Sequence, residues 1–419
     1  MARRQTSTAP KPGRAPRAQR QGPSRASLIA DRIQIGMGLA YRGQSREFYM
    51  LLGVVAALVG FGLIMVLSAS YVTQLAQGNP WFSSFAKQAL FVVIGFAIMT
   101  GMVLFKPTFF KTVFPYAYWS MIVVQLSVFV IGKEINGNKN WIQIGIFSFQ
   151  PSEVFKVILP LALAYVLANN QAELDNRRTW IQASFAVILP ISIIMLQKDL
   201  GTVIVIVAQY LGLAILAGMP GKLVRNVTLI SIPVMAILLS LSSSRLPRIM
   251  AWLFPTDANE ETYNWQQNHG LWALAAGGFS GVGLGAGKMK WSWIPEVDND
   301  FIFAVIGEEL GMVGCALVIA LFAVLLFALI RIAQKTQDVF QRYFVLGVAT
   351  WIAAQAFINI AVVLRLAPVL GVPLPLISQG GTSMVAVLGA LGIVLGIERQ
   401  NHLGGSAKYA GTVPRRSNR

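Results

Sequence analysis

Ten apolar runs decide most of what this chain can fold into. They lie near 48–70, 85–105, 113–132, 153–168, 180–197, 201–218, 224–243, 301–331, 343–366 and 383–397. A helix of about 20 apolar residues crosses a bilayer core of roughly 30 Å. The runs are continuous, not alternating, which excludes a β-barrel. Only 12% of the residues are charged, against about 25% in soluble domains. The expected fold is an all-α integral membrane protein with about ten transmembrane helices. The fourth and last runs are short, so they should tilt, begin inside a cavity, or be packed within protein.

Basic residues set the expected orientation. Lys106, Lys111, Arg177, Arg178, Lys222, Arg225, Arg331, Lys335 and Arg342 fall in short loops or span ends on one side. The positive-inside rule then places both termini in the cytoplasm. Residues 1–47 form a basic tail, read as disordered to about Ser27 and suited to anionic lipid rather than nucleic acid. Residues 48–400 form the membrane domain, and 401–419 a second cytoplasmic tail. No cleavable signal peptide is expected before the first run. Residues 244–300, between the seventh and eighth runs, make one long extracytoplasmic loop. Within it, Leu271, Leu274 and Ala275 suggest a short interfacial helix.

One cysteine, Cys315, and two histidines, His269 and His402, leave no disulfide framework and no His/Cys metal site. Any metal would be a hard divalent cation on carboxylate and phosphate oxygens.

Charged groups in or beside spans are functional candidates, because burying them is costly. Four segments qualify. IPEVDNDFIFAVIGEELG carries Glu296, Asp298, Asp300, Glu308 and Glu309. If the eighth span begins at Asp300, helix geometry puts Ala304, Gly307 and Gly311 beneath it, leaving a cleft or close helix packing. Asp300 is then a helix cap or a reactive carboxylate, and spacing alone does not choose. Glu308 and Glu309 point elsewhere and read as buried hydrogen-bonding groups. In FQPSEVFKV, Glu153 and Lys156 share a helix face, as an ion pair or a cavity wall. In QKDLGT, Asp199 suits a cap. In LRLAPVLGVPLPLISQGGTS, Pro368, Pro373 and Pro375 forbid a regular helix. Gly380, Gly381, Thr382 and Ser383 then open the last span, where backbone N–H groups can receive an anion.

Together these segments resemble the SEDS family (shape, elongation, division, sporulation). NGxxxWIxIGxFxxQPSExxK fits Asn136–Lys156, and QxDxGT fits Gln197–Thr202. GGxxGxGLGxxKxKWxxIPExxxDFIFAxIGEELG fits Gly277–Gly311, and PLPxISxGGTS fits Pro373–Ser383. The likeness spans residues 48–400 and leans toward the division member rather than the elongation member.

The resemblance implies polymerisation of lipid II, a lipid-linked disaccharide–pentapeptide, on the outer face of the bacterial cytoplasmic membrane at the division septum. Undecaprenyl diphosphate leaves. It implies that Asp300 is the essential carboxylate, acting as general base. Glu153, Lys156, Asp199, Lys288, Lys290, Gly380, Gly381, Thr382 and Ser383 are the candidate substrate and pyrophosphate residues. It implies a class B transpeptidase partner with one membrane span, alongside other division-complex membrane proteins. No cofactor is required by the motifs, and a divalent cation at the pyrophosphate is compatible with them. This chain departs from the family pattern at Asp298, Leu370 and Gln379, where His, Lys and Tyr are common. Two rival readings are a transporter that flips the same precursor and a non-catalytic scaffold of the division complex.

Overall fold

The structure, a computed structural model, describes residues 43–410 except 136–137, 146, 241–245, 257–263, 289 and 292–296. Most of the expected basic tail, residues 1–42, therefore lies outside the described residues.

Each apolar run forms a helix. These are α1 (Arg46–Ala76), α2 (Ser83–Leu104), α3 (Pro107–Ile131), α4 (Pro151–Asn169), α5 (Arg177–Leu196), α6 (Leu200–Leu216), α7 (Gly221–Ser240), α10 (Ile302–Lys335), α11 (Val339–Val363) and α12 (Gly381–Ala410). Between α7 and α10 come α8 (Leu246–Leu253) and α9 (Trp265–Gly277). Among the described residues, eight helices are long and apolar enough to cross a membrane, and α6 is apolar but shorter. This is a multi-pass membrane protein. The helix expected around Leu271 and Leu274 is α9. The last helix runs on to Ala410, well past the expected end near 397.

The two short runs are packed within protein. The spanning windows of α4 and α12 are 72% and 78% buried, against 28% for α2 and α3. Glycine permits the closest packing. A Cβ on Gly392 would lie 2.6 Å from the Met99 carbonyl, and Gly381 rests against the Phe91 ring. These contacts seat α12 on α2.

Helix starts follow local chemistry. The Ser45 hydroxyl accepts from Phe48 N–H at 3.1 Å, and the Asp338 carboxylate accepts from Gln341 N–H at 2.9 Å. Each satisfies a donor that the first turn leaves orphaned. Pro107 and Pro151 open α3 and α4, where no N–H is needed.

Two features depart from the expectation of plain helices. A small antiparallel sheet, β1 (Lys133–Ile135), β2 (Asn138–Ile144) and β3 (Phe147–Phe149), fills the connection between α3 and α4. And α10 is broken at Gly311, whose φ of 64° and ψ of −160° lie outside the helical region. The glycine-rich segment after α9 repairs the break. Val282 and Gly283 N–H donate to the Glu308 and Glu309 carbonyls at 3.0 Å each. Met312 and Val313 N–H donate to the Gly278 and Phe279 carbonyls at 2.9 and 3.2 Å. Carbonyls and N–H groups that the helix cannot pair are thereby paired by a loop, which apolar surroundings require.

At the far end of α10, Lys335 pairs with Glu47 at 2.6 Å. Close by in sequence to Glu47, the Ser45 hydroxyl donates to Glu398 at 2.6 Å. The start of α1 is thus tied to the end of α10 and, through Glu398, to α12. The 34 residues of α10 put that cluster about 50 Å of helix away from Asp300.

Candidate active site

A cleft of about 260 Å³ lies where five segments converge. Asn140 and Trp141 enter from β2, and Glu153 and Lys156 from α4. Asp199 and Thr202 come from the start of α6, and Asn299 and Asp300 from the turn before α10. Leu370–Pro373 with Gln379, Gly380, Thr382 and Ser383 supply the last wall.

Asp300 is 9% exposed. It is not the cap of α10: Phe301 holds that position, with no side-chain cap. A Cβ on Gly371 would lie 3.5 Å from the Asp300 Oδ2 atom. The carboxylate therefore borders the proline-rich segment. Gly371 has a φ of 69°, a conformation costly for a side-chain-bearing residue. The backbone around Asp300 is stitched to the same segment. Gln379 N–H donates to the Asp298 carbonyl at 2.9 Å, and the Ser378 hydroxyl donates to the Asn299 carbonyl at 2.5 Å.

Lys156 is 1% exposed, and Glu153 3%. Their ion pair spans 2.8 Å. Lys156 also donates to Gln355 Oε1 at 3.0 Å. Glu153 Oε2 is buried with no hydrogen-bond partner. A lysine has three donors, so the pair presents both a donor-rich cation and an unsatisfied acceptor to the cleft.

Asp199 is a hub. Oδ1 accepts from Thr202 N–H at 3.1 Å, as the helix cap expected from QKDLGT. Oδ2 accepts from Asn140 and Gln150 side-chain amides at 2.9 Å each and from the Thr202 hydroxyl at 3.0 Å. With its lone pairs occupied, Asp199 holds the β-hairpin against α6 rather than offering a base. Thr202 sits one residue past Gly201, which packs directly on the Leu370 carbonyl.

Not every sequence candidate reaches the cleft. Gly380, Thr382 and Ser383 line it, but Gly380 N–H is already given to Gln88 Oε1 at 3.1 Å. Gly381 faces Phe91 instead. Lys288 and Lys290 lie outside the lining. The Lys288 side chain is exposed, and its backbone N–H donates to Glu308 Oε1 at 2.7 Å. Lys290 is buried in an ion pair with Glu309 at 2.6 Å. The Ser68 hydroxyl of α1 donates to Glu309 at 2.6 Å as well. Glu309 is thus the buried, neighbour-bonded group the sequence suggested. Gly307 packs against Gly277 and Leu274 of α9. Of the two uses open to the small-residue face of α10, this contact is helix packing.

Sequence reasoning overlooked Trp351, Gln355 and Asn359 on α11. Their signal was present: polar side chains at intervals of four inside an apolar run. Among the described residues, no group of three or more His, Cys, Asp or Glu side chains is arranged to hold a metal ion.

A multi-pass helical membrane protein with a buried, charged cleft below an irregular proline-rich segment is the class that fold and site define. The chain belongs to the FtsW/RodA/SpoVE family, described as cell cycle protein, whose model matches residues 49–403. It is 36% identical over 400 residues to a probable peptidoglycan glycosyltransferase FtsW of Mycobacterium tuberculosis, covering 94% of this chain and 76% of that protein. A probable peptidoglycan glycosyltransferase FtsW of Trichlorobacter lovleyi is 33% identical over 356 residues, covering 83% and 92%. Among solved structures, a chain of a peptidoglycan synthase complex that coordinates polymerization and crosslinking superposes with a TM-score of 0.71. Its identity is 24%, with 86% of this chain and 99% of that chain covered. The rod shape determining protein RodA of Thermus thermophilus gives a TM-score of 0.64 at 24% identity, with the same coverage. These two likenesses show the fold.

Proposed function

We infer that this chain is a peptidoglycan glycosyltransferase that polymerises lipid II into glycan strands at the outer mouth of its cleft. The observation that carries the reading is the placement of Asp300 in one cleft with the Glu153–Lys156 pair and the start of α12. A sugar hydroxyl is a weak nucleophile, and a carboxylate that takes its proton makes it a competent one. Attack on the α-linked anomeric carbon forms a β-1,4 bond and breaks the bond to the diphosphate oxygen. The departing undecaprenyl diphosphate gathers negative charge. Lys156 and the first-turn N–H groups of α12 are the donors in reach of such a group.

The curated names of the relatives support the activity, and their division-protein name supports a septal role. The relative solved within a synthase complex supports a crosslinking partner, here a class B transpeptidase, with other division proteins nearby. If a divalent cation takes part, Asp300 and the substrate diphosphate supply its hard oxygen ligands. The transporter reading is less favoured, because Asp300 sits before the first turn of α10 rather than midway along it.

The deciding experiment uses purified full-length protein with its transpeptidase and lipid II. Asp300→Asn should stop glycan polymerisation while the protein stays folded and inserted. Polymerisation at the wild-type rate by that variant would overturn the mechanism.

A further inference from the structure

One helix face holds both chemical ends of the cleft. Trp351, Gln355 and Asn359 of α11 lie four residues apart in turn, so they form one stripe. All three are buried to 1% exposure or less. Trp351 Nε1–H donates to Gln355 Oε1 at 2.7 Å, and Lys156 donates to the same oxygen at 3.0 Å. The Gln355 amide then donates to the Pro373 carbonyl at 3.0 Å. One turn on, the Asn359 amide spends both hydrogens. One goes to the Asp300 carbonyl at 2.8 Å, the other to the Val372 carbonyl at 2.7 Å.

The arrangement solves a local problem and creates a functional link. The proline-rich segment cannot form a helix, and its buried carbonyls need donors from outside. Two amide side chains on a regular helix supply them. The same two side chains hold the cation of the cleft and the backbone carbonyl of the residue that carries its carboxylate. The offset between their anchors is one helical turn, about 6 Å along α11. A helix is a stiffer ruler than two loops, and precise placement of reacting groups is worth large factors in rate.

We infer that Gln355 and Asn359 are positioning residues for glycosyl transfer. Gln355 aims Lys156 at the diphosphate, and Asn359 fixes the turn that presents Asp300. This rests on the polymerase reading above. It predicts that neighbours on one stripe have different kinetic signatures, which a merely structural role does not.

The test measures initial rates against lipid II concentration, with the transpeptidase present, alongside the thermal midpoint of each variant. Asn359→Leu should lower kcat by roughly 10- to 100-fold and leave KM within about twofold. Gln355→Leu should raise KM by about tenfold, with a smaller loss in kcat, because charge-assisted contacts to a phosphate are strong. Gln355→Glu keeps an acceptor for Lys156 and should bring KM back toward wild type. Asn359→Ser keeps one donor, is the milder change for folding, and should fall between wild type and Asn359→Leu. Parallel losses of kcat and thermal midpoint at both positions, with KM unmoved, would overturn the assignment. So would wild-type kinetics in all four variants. Asp300→Asn is run beside them. Activity in that variant would sink the polymerase mechanism itself, whereas its silence with an unsplit Leu pair would sink only the positioning roles.

Discussion

Lys290 Nζ and Glu309 Oε1 lie 2.6 Å apart with both side chains wholly buried. The lysine also donates to the Gly285 carbonyl at 2.9 Å and lies 4.7 Å from the centre of the Tyr71 ring. Gly285 N–H returns a bond to Glu309 Oε2 at 3.0 Å. The pair therefore pins the glycine-rich segment to α10 and to α1, beside the break at Gly311. Removing one partner leaves a buried charge alone, a change that costs about 3–5 kcal/mol. Glu309→Gln and Lys290→Met should each lower the thermal midpoint strongly. The double variant Lys290→Met/Glu309→Leu should recover much of the loss. A double variant as unstable as the sum of the singles would refute this account.

Gly311 is held at a φ of 64°, and a Cβ there would lie 2.5 Å from the Phe279 carbonyl. Gly311→Ala should destabilise by about 1–3 kcal/mol, from backbone strain and from crowding of the loop that repairs the helix. Limited proteolysis between Gly277 and Gly287 reads the effect directly, since that segment should loosen first.

Asp199 is expected to act through structure. Asp199→Asn keeps the shape but exchanges acceptors for a donor toward Asn140, Gln150 and Thr202. A lost cap alone costs about 0.5–2 kcal/mol. The variant should therefore lose stability and activity together, and its KM should move little once inactive protein is discounted by titrating the folded fraction.

The Glu153–Lys156 pair should behave differently. Lys156→Met leaves Glu153 buried without its cation, so expression of folded protein should fall. Glu153→Gln/Lys156→Met should fold better than Lys156→Met alone. It should still fail to polymerise if the lysine receives the diphosphate. Polymerisation near the wild-type rate in that double variant would remove Lys156 from the mechanism.

Several of these sites could be read from the chain because their chemistry is local. Each of the ten apolar runs forms a helix, eight of them long and apolar enough to span among the described residues, since a run of that length in lipid has one way to satisfy its backbone. Pro151 marked the start of α4 and Asp199 capped α6, because caps need only neighbours in sequence. The motif resemblance chose Asp300 from five acidic residues where periodicity left it open. The sheet before α4 was missed because Asn138–Ile144 is short and its pairing partners are stated nowhere in its own residues.

The sequence by itself determined a multi-pass helical membrane protein, its family, and a shortlist of charged residues. Only the tertiary structure decided which of them meet. Lys290 and Lys156 are both lysines close to acidic residues in the chain, yet one is locked to Glu309 and the other faces the cleft. That outcome depends on Ser68, Tyr71 and Gln355, which lie far away in sequence. A helix's own hydrogen bonds are set by residues three to four apart. The partner of a buried charge is set by which helices pack, and packing is a property of the whole fold.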